Sequence, residues 1–162
     1  MEPKKILLVE DEALISDLYS YQLKASGYNV KTAPDGLTGL KLLEEEKPDL
    51  LLLDIMLPGM NGLEMLRQWK TKHPNDPLNV LLLTNLGQDA VIKEGFELGA
   101  SGYLIKASYT PEQVVKEIQN AFAGKQAGNP NPNPPANQAP ASGNSPAAAN
   151  PSPTDGTNSE QH

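Results

Sequence analysis

Leu50-Leu51-Leu52-Leu53-Asp54-Ile55-Met56-Leu57-Pro58-Gly59-Met60-Asn61-Gly62 decides how the rest of this chain is read. Four consecutive leucines lie between Lys47-Pro48 and a turn cluster of Pro58, Gly59, Asn61 and Gly62. They describe a strand buried on both faces that runs into a tight turn. Asp54 stands where the apolar run gives way, and taken alone it reads as a turn or cap former. Three other places in the sequence change that reading.

Two further apolar runs flank this one. Ile6-Leu7-Leu8-Val9 stops at Glu10-Asp11-Glu12, and Val80-Leu81-Leu82-Leu83 stops at Thr84-Asn85. Both have the unbroken apolar character of strands covered on two sides. Residues 28–33 alternate apolar with polar, and residues 102–105 form a short strand that ends at Lys106; both suit sheet edges.

Helical periods fill the intervals. Leu14, Leu18, Tyr21 and Ala25, with Ile15 alongside, recur at three- and four-residue steps before Gly27. Leu37, Leu40 and Leu43 follow, then Leu63, Leu66 and Trp69, then a weaker pattern over residues 88–98. Thr110-Pro111-Glu112-Gln113 opens the last helix with a cap, a proline at the first position and an acceptor three residues on. Val114, Val115, Ile118, Ala121 and Phe122 form its apolar face.

Five strands alternating with five helices predict right-handed crossovers and a parallel sheet covered on both faces. The three most apolar strands belong in the middle. The expected order is 2-1-3-4-5, the flavodoxin-like, doubly wound α/β arrangement, in which ligands lie outside the carboxyl ends of the strands.

The 162-residue chain carries a net charge of −7, unevenly supported along its length. Residues 125–162 contain no Val, Ile, Leu, Met, Phe, Tyr or Trp, and 15 of those 38 residues are Pro or Asn. Such a segment has no apolar surface to offset chain entropy, so a disordered tail is expected after a single domain over residues 1–124. Within that domain 12 Lys and Arg face 18 Asp and Glu, with the basic residues scattered. Direct nucleic-acid binding is therefore not expected. The absence of cysteine excludes disulfides and thiolate metal sites. The first apolar run is too short for a signal peptide or membrane span, so a cytoplasmic protein is expected.

In the expected order, Glu10 and Asp11, Asp54, Thr84 and Lys106 all end adjacent strands and face one crevice. Crowded carboxylates repel, and burial raises their pKa values unless a cation lies among them. Mg²⁺ suits such a hard-oxygen set and retains waters that a phosphate can replace. A lysine and a threonine hydroxyl beside it complete a site for phosphoryl transfer to or from a carboxylate, where catalysis is mostly positioning and charge neutralisation.

These residues resemble the receiver domain of bacterial two-component response regulators over residues 4–123, in a stand-alone, chemotaxis-regulator-like form. The resemblance is carried by Leu8-Val9-Glu10-Asp11-Glu12, by Asp54 through Gly62, by Leu83-Thr84, and by Gly99-Ala100-Ser101-Gly102-Tyr103-Leu104-Ile105-Lys106. It implies that Asp54 is the phosphoacceptor, attacking the phosphohistidine of a sensor histidine kinase or phosphotransfer protein. It implies Mg²⁺ held by Asp11, Asp54 and the Met56 backbone carbonyl, with Glu10 acting through water. Lys106 and Thr84 would bind phosphoryl oxygens. Thr84 and Tyr103 would form a switch that repacks the face made by the fourth helix, fifth strand and fifth helix, where a downstream protein would bind. The chain would thus be a signalling module that catalyses its own phosphotransfer and dephosphorylation.

Departures from the family pattern carry their own expectations. Ala107 replaces a proline usually joined by a cis bond; a cis bond to a non-proline costs about 3 kcal/mol, so a trans bond and an altered loop are expected. Asn85 replaces a small residue and would restrict small phosphodonors. Met56 and Leu86 are apolar where the hydrolytic water passes, which implies slow self-dephosphorylation.

Blander readings hold elsewhere. Glu44-Glu45-Glu46 reads as a solvated helix face, Trp69 as packing, and His73 as exposed and inert. Among other function classes, a haloacid-dehalogenase-like phosphatase wants a second aspartate where Met56 stands. A flavin or dinucleotide binder wants glycines where Glu10-Asp11-Glu12 would repel phosphate. A degenerate receiver used only for docking is opposed by intact Asp11, Asp54, Thr84 and Lys106.

Overall fold

A computed structural model describes residues 2–85 and 89–124. Five strands alternate with five helices: β1 (Lys5–Val9), α1 (Ala13–Ala25), β2 (Asn29–Ala33), α2 (Gly36–Glu46), β3 (Leu50–Asp54), α3 (Gly62–Lys72), β4 (Asn79–Thr84), α4 (Asp89–Glu97), β5 (Gly102–Ile105) and α5 (Pro111–Phe122). All strand pairings are parallel, in the order β2-β1-β3-β4-β5. The expected topology is the observed one. The tail expectation, Leu86 and the start of the predicted fourth helix at Gln88 lie outside the described residues.

Strand alternation divides the core into two layers, because successive side chains point to opposite faces. On one face Leu7, Val9, Leu51, Leu53, Val80 and Leu82 pack with Leu43, Met65, Leu66 and Trp69 of α2 and α3. On the other, Ile6, Leu8, Leu50, Leu52, Leu81 and Leu83 pack with Tyr19 and Leu23 of α1 and Val114, Val115 and Ile118 of α5. Each leucine so buried contributes roughly 1.5–3 kcal/mol, which is why the four-leucine run occupies the centre. β2 buries only Val30 and Ala33 and lies at an edge, as its alternation predicted.

The α1 stripe is a correction. The helix forms, but Leu14, Leu18 and Tyr21, whose spacing announced it, are exposed. Its buried face is Ser16, Tyr19, Ser20 and Leu23. Two apolar stripes of similar strength wind around this helix, and the small Ser16 and Ser20 side chains mark the one that approaches the sheet. Leu37 of α2 is likewise exposed while Leu43 is buried. The α5 cap is as predicted: Thr110 accepts from the Gln113 amide and the Gln113 side chain accepts from Thr110 N.

His73 is also a correction. Its side chain is 33% exposed and is held by Glu44 at 3.1 Å, while its ring stacks on Trp69 at 3.9 Å. Trp69 itself is buried in the core, as expected of packing. Glu44, read as one of a solvated run, also meets Lys72 at 3.2 Å. No helix among the described residues is long and apolar enough to cross a membrane.

Candidate phosphoacceptor site

Register brings the polar strand ends level. Val9 pairs with Leu53, Asp54 with Leu83, Leu83 with Leu104, and Thr84 with Ile105. Glu10 therefore leaves β1 beside Asp54, and Lys106 leaves β5 beside Thr84. All four are buried, whereas Asp11, one residue beyond Glu10, is exposed. Carboxylate oxygens of Glu10, Asp11 and Asp54 lie within 4.8 Å of one another.

Lys106 is the shared counter-charge. Its Nζ donates to Glu10 Oε2 at 2.8 Å and to Asp54 Oδ2 at 2.9 Å, with the exposed Glu12 Oε1 at 3.8 Å. Burial alone would lower the Lys106 pKa, but the bonds to Glu10 and Asp54 outweigh it and raise it above the ordinary lysine value. Glu10 moves up as well: burial dominates over the opposing bonds from Lys106 and the Glu12 amide, and the Asp54 charge adds to it. A buried cation shared by buried carboxylates is what this burial requires, since unpaired charges there are far more costly.

Asp54 is aimed by the turn that follows it. Met56 N donates to Asp54 Oδ1 at 2.9 Å, leaving Oδ2 to Lys106. Gly62 N donates to Ile55 O at 2.8 Å, folding the start of α3 back over the strand end. A Cβ on Gly62 would lie 2.3 Å from Asp54 O and 2.9 Å from Ile55 Cα, so only glycine permits this approach. Gly59 supplies the positive φ, +75°, that the turn needs. Asn61 then caps α3 by accepting from Glu64 N at 2.8 Å.

The remaining predicted residues are placed nearby. Thr84 ends β4 next to the cluster and is buried. Tyr103, in β5, is half-buried on the α4 side, its ring edge-on to Phe96 at 6.2 Å. Burial, then the charge of Asp89, raises its hydroxyl pKa. The Met56 side chain is exposed. The Lys106–Ala107 peptide is trans, as Ala107 predicts, and residues Lys106–Ser108 form a 3₁₀ turn.

One residue beside the site escaped the sequence reading. Tyr19 is buried on the inner face of α1, and the charges of Lys106, Glu10 and Asp54 all act on its hydroxyl. It was hidden because α1 carries two apolar stripes of similar strength; the i, i+4 spacing of Ile15, Tyr19 and Leu23 is the signal that finds it. Glu12 adds a third, exposed carboxylate near Lys106.

The donor set fits Mg²⁺. It is all oxygen and combines the buried carboxylates of Glu10 and Asp54 with the solvent-facing one of Asp11.

Comparison with known proteins agrees with this fold. The family model described as "Response regulator receiver domain" matches residues 6–119. The chain is 41% identical over 116 residues to the alkaline phosphatase synthesis transcriptional regulatory protein PhoP of Bacillus subtilis, covering 72% of this chain and 47% of that protein. It thus spans about half the length of that curated relative. Among solved structures, a CheY-like receiver domain protein of Methanospirillum hungatei superposes with a TM-score of 0.69 at 28% identity, covering 75% of this chain and 95% of that one. The chemotaxis protein CheY4 of Vibrio cholerae gives 0.68 at 30% identity, covering 73% and 98%.

Proposed function

The chain belongs to the response regulator receiver family of two-component systems, and from that premise we propose that it takes a phosphoryl group from a phosphohistidine onto Asp54. The observation that carries the proposal is the buried Lys106 ammonium bonded to Asp54 Oδ2 within a cluster of three carboxylates.

Asp54 offers a carboxylate oxygen to phosphorus as the phosphorus–nitrogen bond of the donor breaks and its electron pair returns to the imidazole. Lys106, already at the strand ends, exchanges a carboxylate oxygen for a phosphoryl oxygen without leaving the crevice. The Thr84 hydroxyl, neutral and one strand away, turns toward the new acceptor without a charge penalty. Asp11, Asp54 and the Met56 carbonyl would hold Mg²⁺, with Glu10 acting through water; the bound ion supplies positive charge against the phosphoryl oxygens.

The chain acts in this reading as a signalling module and not as an enzyme of small-molecule turnover, catalysing only its own phosphotransfer and dephosphorylation. Its donor is a sensor histidine kinase or phosphotransfer protein in the cytoplasm. Its readout is a protein that binds the face formed by α4, β5 and α5, where Tyr103 meets Phe96. Phosphotransfer from a panel of sensor kinases with Mg²⁺, comparing the native chain with Asp54→Ala, tests the site. Label on the native chain and none on the variant is the expected result; label that persists on the variant overturns the assignment.

A further inference from the structure

At the pole of the domain where the strands end, Lys106 faces a further carboxylate to which phosphotransfer assigns no role. Glu12 Oε1 lies 3.8 Å from Lys106 Nζ, and its side chain is 56% exposed where those of Glu10 and Asp54 are enclosed. Asp54 therefore forms the floor of the crevice and Glu12 stands at its mouth. Asp11 is exposed too, but it belongs with Glu10 and Asp54 in the set that fits a metal, and Glu12 does not.

Helix capping is the blander account of Glu12. It occupies the N-cap position of α1, yet its side chain accepts no hydrogen bond from the helix. Its peptide groups carry the local structure instead: Glu12 O accepts from Ser16 N at 2.9 Å, and Glu12 N donates to Glu10 Oε1 at 3.1 Å. The carboxylate is left as a charge that faces solvent.

That charge adds to an anionic site. Glu10, Asp11, Glu12 and Asp54 are four carboxylates, and among the described residues Lys106 is the one cation paired with any of them. A divalent ion bound there still leaves formal negative charge in excess. Any phosphodonor brings more, so the charge on its departing group decides how strongly the mouth opposes it.

In-line displacement puts the leaving atom on the far side of phosphorus from Asp54. With Asp54 at the floor, that is the solvent side, where Glu12 stands. Two classes of donor differ at this atom. In a phosphorus–nitrogen donor the leaving nitrogen carries a proton and a positive charge before the bond breaks, and a carboxylate attracts it. In an acyl phosphate the leaving group departs as a carboxylate anion, and the same charge repels it.

We propose that Glu12 selects the phosphodonor by charge, favouring phosphorus–nitrogen donors over acyl phosphates. The inference rests on the phosphoacceptor reading and names the substrate class of that site. It is selection by a repulsive element, which rejects the wrong donor without tightening on the right one. In either reaction an Asp54 oxygen forms the new bond to phosphorus. With phosphoramidate the phosphorus–nitrogen bond breaks, its electron pair stays on nitrogen, and ammonia leaves; with acetyl phosphate the phosphorus–oxygen bond breaks and acetate leaves.

The test measures second-order rate constants for these two probes on the full chain, on Glu12→Gln and on Glu12→Asp, with Mg²⁺ saturating. Intact mass follows the reaction, and peptide mass spectrometry locates the phosphoryl group on Asp54. Neither substitution removes a hydrogen bond of the fold, because the Glu12 bonds are made by its peptide. The quantity read is the ratio of the phosphoramidate rate to the acetyl phosphate rate, in which any effect common to both donors cancels. Phosphoramidate is a zwitterion near neutral pH and has the smaller net negative charge. A unit charge about 4 Å away in water changes an approach by about fivefold. The ratio should therefore fall about fivefold in Glu12→Gln and stay near the native value in Glu12→Asp. That fall should shrink as ionic strength rises from about 0.1 M to about 1 M and the screening length drops from about 10 Å to about 3 Å.

A ratio unchanged by Glu12→Gln overturns the proposal while labelling of Asp54 stands. A fall that ignores salt also overturns it, because shape and not charge is then responsible. So does a native chain that takes label from neither probe, since a donor of the favoured class must react; the kinase panel judges the phosphoacceptor reading separately.

Discussion

Lys106 Nζ lies 2.9 Å from Asp54 Oδ2, although 52 residues separate the two in the chain. The same ammonium meets Glu10, so a single buried cation holds two buried carboxylates together. Removing one partner of such a cluster typically costs about 3–5 kcal/mol, because charge is left uncompensated. Lys106→Met should lower stability in urea by that amount. Mg²⁺ should restore part of it, since a cation at 100 times its Kd stabilises the folded state by about 2.7 kcal/mol. A variant that Mg²⁺ does not stabilise would mean that the carboxylates are not a cation site.

Alkaline pH should reproduce the loss. Lys106 holds its proton to a higher pH folded than unfolded, because its bonds to Glu10 and Asp54 outweigh burial. Its contribution is therefore complete below the ordinary lysine value of 10.5 and disappears as pH rises through the higher folded value. Urea midpoints measured across that window should fall more steeply for the native chain than for Lys106→Met. Parallel curves would remove Lys106 as the titrating group.

Gly62→Ala should damage both fold and site. Helix propensity favours alanine by up to about 1 kcal/mol. The added Cβ, however, meets backbone at Asp54 and Ile55, which cannot rotate away. Overpacking of this kind costs about 1–3 kcal/mol. Denaturation should show the net loss, and phosphotransfer to Asp54 should slow because the strand end that aims it is displaced.

The acyl phosphate on Asp54 should be long-lived. Met56 is exposed directly after the site and offers no group to orient water. Met56→Asn should shorten the lifetime by about tenfold, equivalent to about 1.4 kcal/mol of barrier. Radiolabel decay measured with Mg²⁺ present checks this, and an unchanged lifetime removes Met56 from the water path.

His73→Ala should separate stability from signalling. The stack on Trp69 is worth about 0.5–1.5 kcal/mol, and the Glu44 contact is half-exposed and adds little. A loss near 1 kcal/mol in urea is expected with phosphotransfer to Asp54 unchanged. A large drop in phosphotransfer would reveal coupling between the two poles.

The strands, their order and the gathering of polar residues at their carboxyl ends were legible in the sequence. Unbroken apolar runs such as Leu50 to Leu53 have only one stable place, the middle of a sheet covered on both sides, and parallel crossovers put their polar ends at one edge. The nearness of Asp54, Glu10, Asp11, Thr84 and Lys106 follows from that alone. The sequence did not decide which α1 stripe turns inward, because Leu14, Leu18 and Tyr21 are as apolar as Ile15, Tyr19 and Leu23. Only packing against β1 and α5 chose between them, and that choice brought Tyr19 under the charges of the site. Nor could residue types show that Lys106 bridges both carboxylates, or that His73 stacks on Trp69. The first joins residues 52 and 96 positions apart and the second residues only four apart, and both exist only where burial makes an unpaired charge or an empty aromatic face more costly than ordering its partner.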